Sequence, residues 1–93
     1  TGGSMVQAVN LLKEKGARDI YMVFVHPVLS ATAAQRLSDL PVREFVATDT
    51  IPIPQEKAVL FGDRLTILSI APLLGEVIQR ANEGRSVGEL FNE

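Results

Sequence analysis

The chain has 93 residues, of which 46% are hydrophobic and 22% charged, and its net charge is −2. This composition indicates one small folded domain or a piece of a larger one, and it excludes a disordered segment. The chain has no cysteine, which excludes disulfides and cysteine metal sites. Its slightly negative net charge argues against nucleic acid as a partner. No apolar run reaches the roughly 20 residues of a membrane span. The N-terminal residues show no charged-then-apolar signal pattern. Without cysteine an intracellular protein is the simpler expectation, so we expect a cytoplasmic protein without a membrane partner.

The first four residues, 1–4 (TGGS), run directly into a helical pattern. Met5, Val9 and Leu12 have the i, i+4, i+7 spacing of an amphipathic helix, which we expect over residues 4–15. Two glycines and two hydroxyl residues before a helix place free backbone N–H groups and the positive end of the helix dipole at one point. Such a point binds phosphate. The alternative is an ordinary helix start with Ser4 as its N-cap.

The continuously apolar run 20–25 follows this helix. It predicts a strand buried on both faces, as in a parallel sheet. His26 follows the strand, and Ser30 is placed to cap a short helix that must end before Pro41. A second strand is expected at residues 44–48.

The second half of the chain begins with a loop at 49–54, because its two prolines exclude a central strand. Residues 55–63 show no clear pattern. The apolar run 65–70 predicts a third strand, and Pro72 suits the first turn of a helix with an apolar stripe that we interpret as core packing. Residues 86–89 (SVGE) form a capping box that opens one last turn.

This order of elements predicts an α/β fold, a parallel sheet covered by helices on both faces in the doubly wound manner. Ligands of such folds bind beyond the carboxyl ends of the strands, where His26, Asp49 and the loop before the first helix fall. His26 could serve as a general base, and Asp49 could bind a metal or a sugar hydroxyl. We favour structural roles: a ring that satisfies loop carbonyls for His26, and an Asx-type turn for Asp49.

Five segments, in their order and spacing, resemble the ribose-phosphate pyrophosphokinases, the synthetases of phosphoribosyl pyrophosphate. They cover nearly the whole chain: 1–4 (TGGS), 26–30 (HPVLS), 48–52 (TDTIP), 68–74 (LSIAPLL) and 84–91 (GRSVGELF). The chain looks like the C-terminal part of such an enzyme. We therefore expect residues 1–93 to be part of one type I phosphoribosyltransferase-like domain, a fragment of a longer two-domain chain.

The resemblance implies a reaction in which pyrophosphate moves from ATP to ribose 5-phosphate with Mg²⁺, in a homo-oligomer that is a hexamer in the family. It implies that the 5-phosphate is held by Thr1, Gly2, Gly3 and Ser4. The family's catalytic residues, ATP site and acidic pair would precede this segment, so no catalytic residue or metal ligand is assigned within it. We expect the fragment alone to be inactive.

Ser86 and Phe91 match the segment through which ADP and phosphate regulate family members, although Gly88 stands where regulated members often carry a serine. A second departure is Ala31-Thr32, where the family commonly has Gly-Pro. Two alternatives remain open: a non-catalytic regulatory subunit associated with a synthetase, and another type I phosphoribosyltransferase.

Overall fold

The computed structural model of the chain describes residues 2–91. Its elements, in chain order, are helix α1 (Gly3–Glu14), strand β1 (Tyr21–Phe24), helix α2 (Ala31–Ser38), strand β2 (Glu44–Thr48), helix α3 (Gln55–Ala58), a 3-10 segment (Val59–Arg64), strand β3 (Leu65–Leu68), helix α4 (Ala71–Glu83) and a 3-10 turn (Gly88–Phe91).

The three strands form one parallel sheet in the order β1-β2-β3, which confirms the predicted parallel pairing. Met22 of β1 is the register partner of Phe45 of β2, and Phe45 is the partner of Leu65 of β3. Because neighbouring strands are also consecutive in the chain, right-handed crossovers place both connecting segments on the same face of the sheet.

The hydrophobic core lies between that face and the helices. Met22 and Phe45 point into it, and Phe45 meets Phe61 of the 3-10 segment edge to face, with ring centroids 4.8 Å apart. Burying one such side chain contributes about 1.5–3 kcal/mol. The buried cluster comprises Val9, Ile20, Met22, Ala34, Leu37, Leu40, Val42, Phe45 and Phe61.

The opposite face of the sheet is exposed in the described part of the chain. Tyr21 is 55% exposed, Val23 68% and Leu68 56%. Within residues 2–91 the strand at 20–25 is therefore buried on one face only, contrary to the prediction, and helices cover only one face of the sheet. The physical reason is the strand order, because helices reach the second face only where the order reverses. The doubly wound arrangement is not confirmed.

Helix α1 begins one residue earlier than predicted. Gly2 is its N-cap and Gly3 its first residue, so Ser4 lies inside the first turn and is not the cap. Its C-cap is Lys15, and Gly16 follows with a φ of 95°, the left-handed conformation that ends many helices.

Helix α2 has the predicted N-terminus. The Ser30 hydroxyl accepts a hydrogen bond from the Ala33 N–H at 3.0 Å, which satisfies one of the unpaired donors of the first turn. Ala31-Thr32, where the resemblance leads one to expect Gly-Pro, leaves this cap intact.

Residues 55–63, which show no clear sequence pattern, form α3 and most of the 3-10 segment, and Arg64 follows them. Arg64 ends the 3-10 segment and donates hydrogen bonds to the carbonyls of Ser38, Leu40 and Val42. A single guanidinium thus connects the α2–β2 loop to the start of β3.

Helix α4 packs little against the rest. The helix follows β3, which ends at Leu68, two residues before its predicted end. Pro72 lies in the first turn of α4, and Gly84 is its left-handed C-cap with a φ of 70°. None of the side chains of α4 is buried: Leu74 is 50% exposed and Ile78 68%. The interpretation of this stripe as core packing is wrong for the described residues.

The predicted capping box at residues 86–89 is also wrong. Arg80 of α4 pairs with the Glu89 carboxylate at 3.0 Å and donates to the Ser86 carbonyl at 3.0 Å. Glu89 is therefore paired with Arg80 of the preceding helix and does not cap the turn. The 3-10 turn begins at Gly88, two residues after Ser86.

Candidate functional site at the carboxyl edge of the sheet

The first turn of α1 presents unsatisfied backbone donors. The Gly2 carbonyl accepts from the Val6 N–H at 3.0 Å, which is the first hydrogen bond of the helix. The N–H groups of Gly3, Ser4 and Met5 precede that bond, so the helix offers them no acceptor. Among residues 2–91 no other hydrogen bond uses them. They lie at the positive end of the helix dipole and suit an anion.

The structure describes three of the four residues of the predicted phosphate loop, Gly2, Gly3 and Ser4. Thr1 lies outside the described residues. The Ser4 side chain is exposed, and its hydroxyl makes no hydrogen bond within the described part of the chain. Gly2 and Gly3 are half-buried.

Gly2 needs to be glycine because of its backbone. Its φ is 77°, in the left-handed region that side chains rarely adopt. A Cβ at this position would lie 3.5 Å from Leu37 Cδ2 and 3.7 Å from Ala33 Cβ, which is ordinary van der Waals contact. The conformation, and not crowding, therefore restricts the residue type, and Gly2 seats the start of α1 against α2.

A cavity of about 250 Å³ connects this turn with the end of β1. Its wall includes Met5 from the first turn of α1, Phe24 at the end of β1, and His26 and Leu29 from the segment that follows. Through Met5, the first turn of α1 therefore borders the carboxyl end of a parallel strand, where α/β folds bind ligands.

One cation also lies beside the helix start. Arg36 of α2 and Asp39 line an open groove with Gly3 and Gln7 of α1. The sequence interpretation missed Arg36. Arg36 lies about one helical turn after Ala33, on the side of α2 that contacts Gly2. This contact exists only in the folded chain, so the sequence alone could not identify Arg36 as a neighbour of the helix start.

His26 belongs to a hydroxyl network at the ends of β1 and β2. Its Nδ1 lies 2.9 Å from Thr50 Oγ1. Thr50 donates to the Val25 carbonyl at 2.8 Å, and Thr48 donates to the same carbonyl at 2.5 Å. The ring thus contacts a hydroxyl, and not the loop carbonyls that we favoured. Thr48 and Thr50, two positions apart at the end of a strand, were not identified from the sequence.

Asp49 joins the ends of two strands. Its carboxylate accepts the Ile70 N–H at 2.9 Å, and its own N–H donates to the Leu68 carbonyl at 3.2 Å. Hydrogen bonds from the Ile70 backbone and the Ser69 side chain lower the pKa of Asp49 below its ordinary value. The favoured Asx-type turn is therefore wrong, because the carboxylate bonds to Ile70, which lies between β3 and α4 and not in the turn after β2.

The predicted allosteric residues lie around α4. The Ser86 carbonyl is held by Arg80, and Phe91 is 54% exposed. Hydrogen bonds from Glu76 and then Glu89 raise the pKa of Arg80 above its ordinary value. No described hydrogen bond or cavity joins Ser86 or Phe91 to the first turn of α1.

Two further classes of site can be stated for residues 2–91 only. Within this range no group of three or more histidine, aspartate or glutamate side chains is placed to hold a metal ion. Nor does the described range contain a helix long and apolar enough to cross a membrane.

Comparison with known proteins gives consistent matches. Residues 2–92 match the phosphoribosyl synthetase-associated domain. The chain is 46% identical over 91 residues to a ribose-phosphate pyrophosphokinase of Caldanaerobacter subterraneus, covering 98% of this chain and 28% of that protein. It is 45% identical over 92 residues to the ribose-phosphate pyrophosphokinase of Oceanobacillus iheyensis, covering 99% of this chain and 28% of that protein.

The fold is similar to that of a solved structure. The crystal structure of phosphoribosylpyrophosphate synthetase from Mycobacterium smegmatis matches with a TM-score of 0.82 and 45% identity, over 90% of this chain and 27% of that one. The chain thus spans about 28% of the length of these curated relatives. The expected placement at their C-terminal part is not confirmed. By the match over residues 2–92, the chain belongs to the phosphoribosyl synthetase-associated domain family.

Proposed function

We propose that this chain is the ribose 5-phosphate-anchoring part of a ribose-phosphate pyrophosphokinase, in which the first turn of α1 binds the 5-phosphate. The observation that carries the proposal is the set of amides at Gly3, Ser4 and Met5, which have no acceptor in the helix and lie at its positive end. The relatives named ribose-phosphate pyrophosphokinase support it, since they share over 40% of the sequence across this segment.

An anchor of this kind acts through position. Phosphoryl-type transfer depends mostly on alignment of the reacting groups and on neutralisation of charge. A phosphate that does not react, held at the start of α1, fixes the rest of the sugar relative to the edge of the sheet. The helix dipole and the amides provide this without a charged side chain.

The rest of the proposed reaction requires parts of the parent protein other than these residues. No catalytic residue is assigned here, and the 93-residue chain alone is expected to be inactive. Mg²⁺ has no ligand set within residues 2–91, so no step is derived through it. The ATP site, assembly into a homo-oligomer and a cytoplasmic location remain predictions for the parent protein.

Isothermal titration of ribose 5-phosphate into the full-length protein tests the anchor. In the Gly3→Val variant a branched side chain stands at the first helical position and crowds the approach to the neighbouring amides. We expect affinity to fall by about tenfold or more, because several charge-assisted hydrogen bonds are weakened together.

The matched control is Asn10→Val, which places the same side chain at an exposed position of the same helix. It should bind ribose 5-phosphate as the wild type does. Equal affinity of Gly3→Val and wild type, with both proteins folded by circular dichroism, contradicts the anchor.

The alternatives separate in the same preparation. A full-length protein that binds ribose 5-phosphate but forms no phosphoribosyl pyrophosphate from it with ATP and Mg²⁺ is a non-catalytic subunit. One that instead consumes phosphoribosyl pyrophosphate and a base is another type I phosphoribosyltransferase.

A further inference from the structure

The hydroxyl network at the ends of β1 and β2 bears on which nitrogen of His26 carries a proton. Thr50 Oγ1 has one proton and two acceptors within reach, the Val25 carbonyl at 2.8 Å and His26 Nδ1 at 2.9 Å. Thr48 Oγ1, at 3.1 Å, is placed to donate to Thr50 and is not one of its acceptors. The Val25 carbonyl is well suited to take the Thr50 proton, since a carbonyl oxygen has two lone pairs.

Thr48 belongs to the same network. Its hydroxyl donates to the same carbonyl at 2.5 Å, and its oxygen accepts the Thr50 N–H at 3.2 Å. The carbonyl has two lone pairs and can accept from both threonines. With the Thr50 proton directed at Val25, the Thr50 oxygen is left to accept from the ring, which corresponds to the tautomer with hydrogen on Nδ1.

A neutral imidazole with hydrogen on Nδ1 has an unprotonated Nε2, a hydrogen-bond acceptor. His26 is exposed and lines the 250 Å³ cavity whose wall also includes Met5, in the turn that presents the amides. The other side chains of that wall are apolar: Met22, Val23, Phe24, Pro27, Val28, Leu29 and Leu37. His26 is thus the polar side chain of an otherwise apolar wall.

We propose that His26 Nε2 accepts a hydrogen bond from a hydroxyl of the sugar phosphate anchored at α1, and that Thr50 is the positioning residue that fixes the ring tautomer. This inference rests on the proposed function for the identity of the ligand. The amides bind the phosphate end, which offers acceptors, whereas Nε2 binds the sugar end, which offers donors. The two parts together favour a hydroxylated phosphate ester over inorganic phosphate.

The tautomer is tested first, by long-range ¹H–¹⁵N correlation of the full-length protein labelled in its histidine rings, with His26→Gln used to assign the signal. We expect Nδ1 in the protonated range and Nε2 in the unprotonated range in the absence of ligand. The reverse assignment overturns the inference. In Thr50→Val, where the acceptor is lost but the shape is kept, the two nitrogens should move toward a mixture of tautomers; Thr32→Val is the matched control on an exposed helical turn.

Ligand binding is tested with a pair of amide variants. The His26→Asn side chain can still donate to Thr50 but has no acceptor at the position of Nε2, whereas His26→Gln can place an oxygen there. For ribose 5-phosphate we expect His26→Asn to weaken binding by about five- to tenfold and His26→Gln by about twofold, the size of one hydrogen bond. Binding of inorganic phosphate should be the same in both.

The outcomes distinguish the two proposals. If ribose 5-phosphate binding is lost in Gly3→Val but unchanged in His26→Asn, the anchor holds and the role of His26 is wrong. Loss of phosphate and sugar phosphate binding together in His26→Asn also overturns the inference, because it indicates a general structural effect. If Gly3→Val has no effect, the proposed function fails whatever the tautomer.

Discussion

At the scale of single residues, the two polar side chains that follow β1 and β2 have different tasks. Asp49 is occupied by a backbone N–H of the segment after β3, so its role is to hold strand ends together. His26 is hydrogen-bonded to Thr50 through Nδ1, and Nε2 is the nitrogen that we propose binds the ligand. Their shared position after a strand predicted both as candidates. Which of them is occupied depends on residues about 20 or more positions away, which local sequence does not reveal.

The lowered pKa of Asp49 makes a prediction for acid stability. A carboxylate with a lowered folded pKa stabilises the fold at every pH above its ordinary value of 3.8, and the contribution is lost as pH falls from 3.8 through the lowered pKa. Asp49→Asn keeps an oxygen for Ile70 but has no charge to titrate. We expect the variant to be less stable than the wild type at pH 7 and to approach it below pH 3.8, measured by urea unfolding of the full-length protein.

Asp19→Asn is the control, because that aspartate makes only a 3.5 Å surface pair with Arg43 and both side chains are more than half exposed. Its stability should parallel the wild type across the same pH range. If the difference in free energy of unfolding between Asp49→Asn and the wild type is the same at every pH, the predicted link between the pKa of Asp49 and stability is wrong.

At the scale of elements, the start of α2 was predictable because it is made locally. Ser30 caps α2 through a residue three positions away, so the sequence around it carries the information. Gly16 and Gly84 also end helices through their own φ angles. Residues 55–63 were not predictable, because long-range contacts hold them: Phe61 packs against Phe45, and Lys57 donates to the Leu29 carbonyl. The capping box at 86–89 failed for the same reason, since Arg80 of another element takes the glutamate.

Arg64 gives the element-scale prediction. Replacing it by methionine leaves carbonyls of Ser38, Leu40 and Val42 without their donor in a partly buried loop. We expect the free energy of unfolding to fall by about 2–4 kcal/mol. Urea unfolding of the full-length protein measures it.

Arg43→Met is its matched control, an exposed arginine with one long surface pair, and should change stability by about 0.5 kcal/mol or less. An Arg64→Lys variant separates charge from shape. Lysine has no planar fork to reach several carbonyls, so it should recover less than half of the loss. If Arg64→Lys instead has the full stability of the wild type, the positive charge alone is enough to satisfy the carbonyls.

At the scale of the whole molecule, α1 to α3 and the 3-10 segment form one layer on one face of the sheet, α4 packs little against them, and an apolar surface is left over. The apolar run of β1 predicts a strand buried on both faces, and this pattern is the same whether the second face is covered by this chain or by another part of a longer protein. The sequence therefore predicted burial, and the described residues leave Val23 and Leu68 exposed. The parallel pairing was predictable because it depends on the alternation of strands with helices.

The exposed surface predicts how the isolated 93-residue chain behaves. Contiguous apolar patches on a free protein drive association. We expect sedimentation velocity to show self-association that increases with concentration, and the double variant Val23→Lys, Ile78→Lys to reduce it. Val59→Lys, an exposed valine of the 3-10 segment, is the control and should leave association unchanged. A monomer at all concentrations contradicts the prediction.

The order of strands along the sheet also has a consequence for folding. Because β1, β2 and β3 are neighbours both in the sheet and in the chain, every strand pairing closes only one short crossover. Such crossovers have a lower entropic cost of closure than pairings that skip a strand, because that cost rises with loop length. Each strand can therefore pair with the one before it, and the sheet edge that carries His26 is complete once β2 has paired.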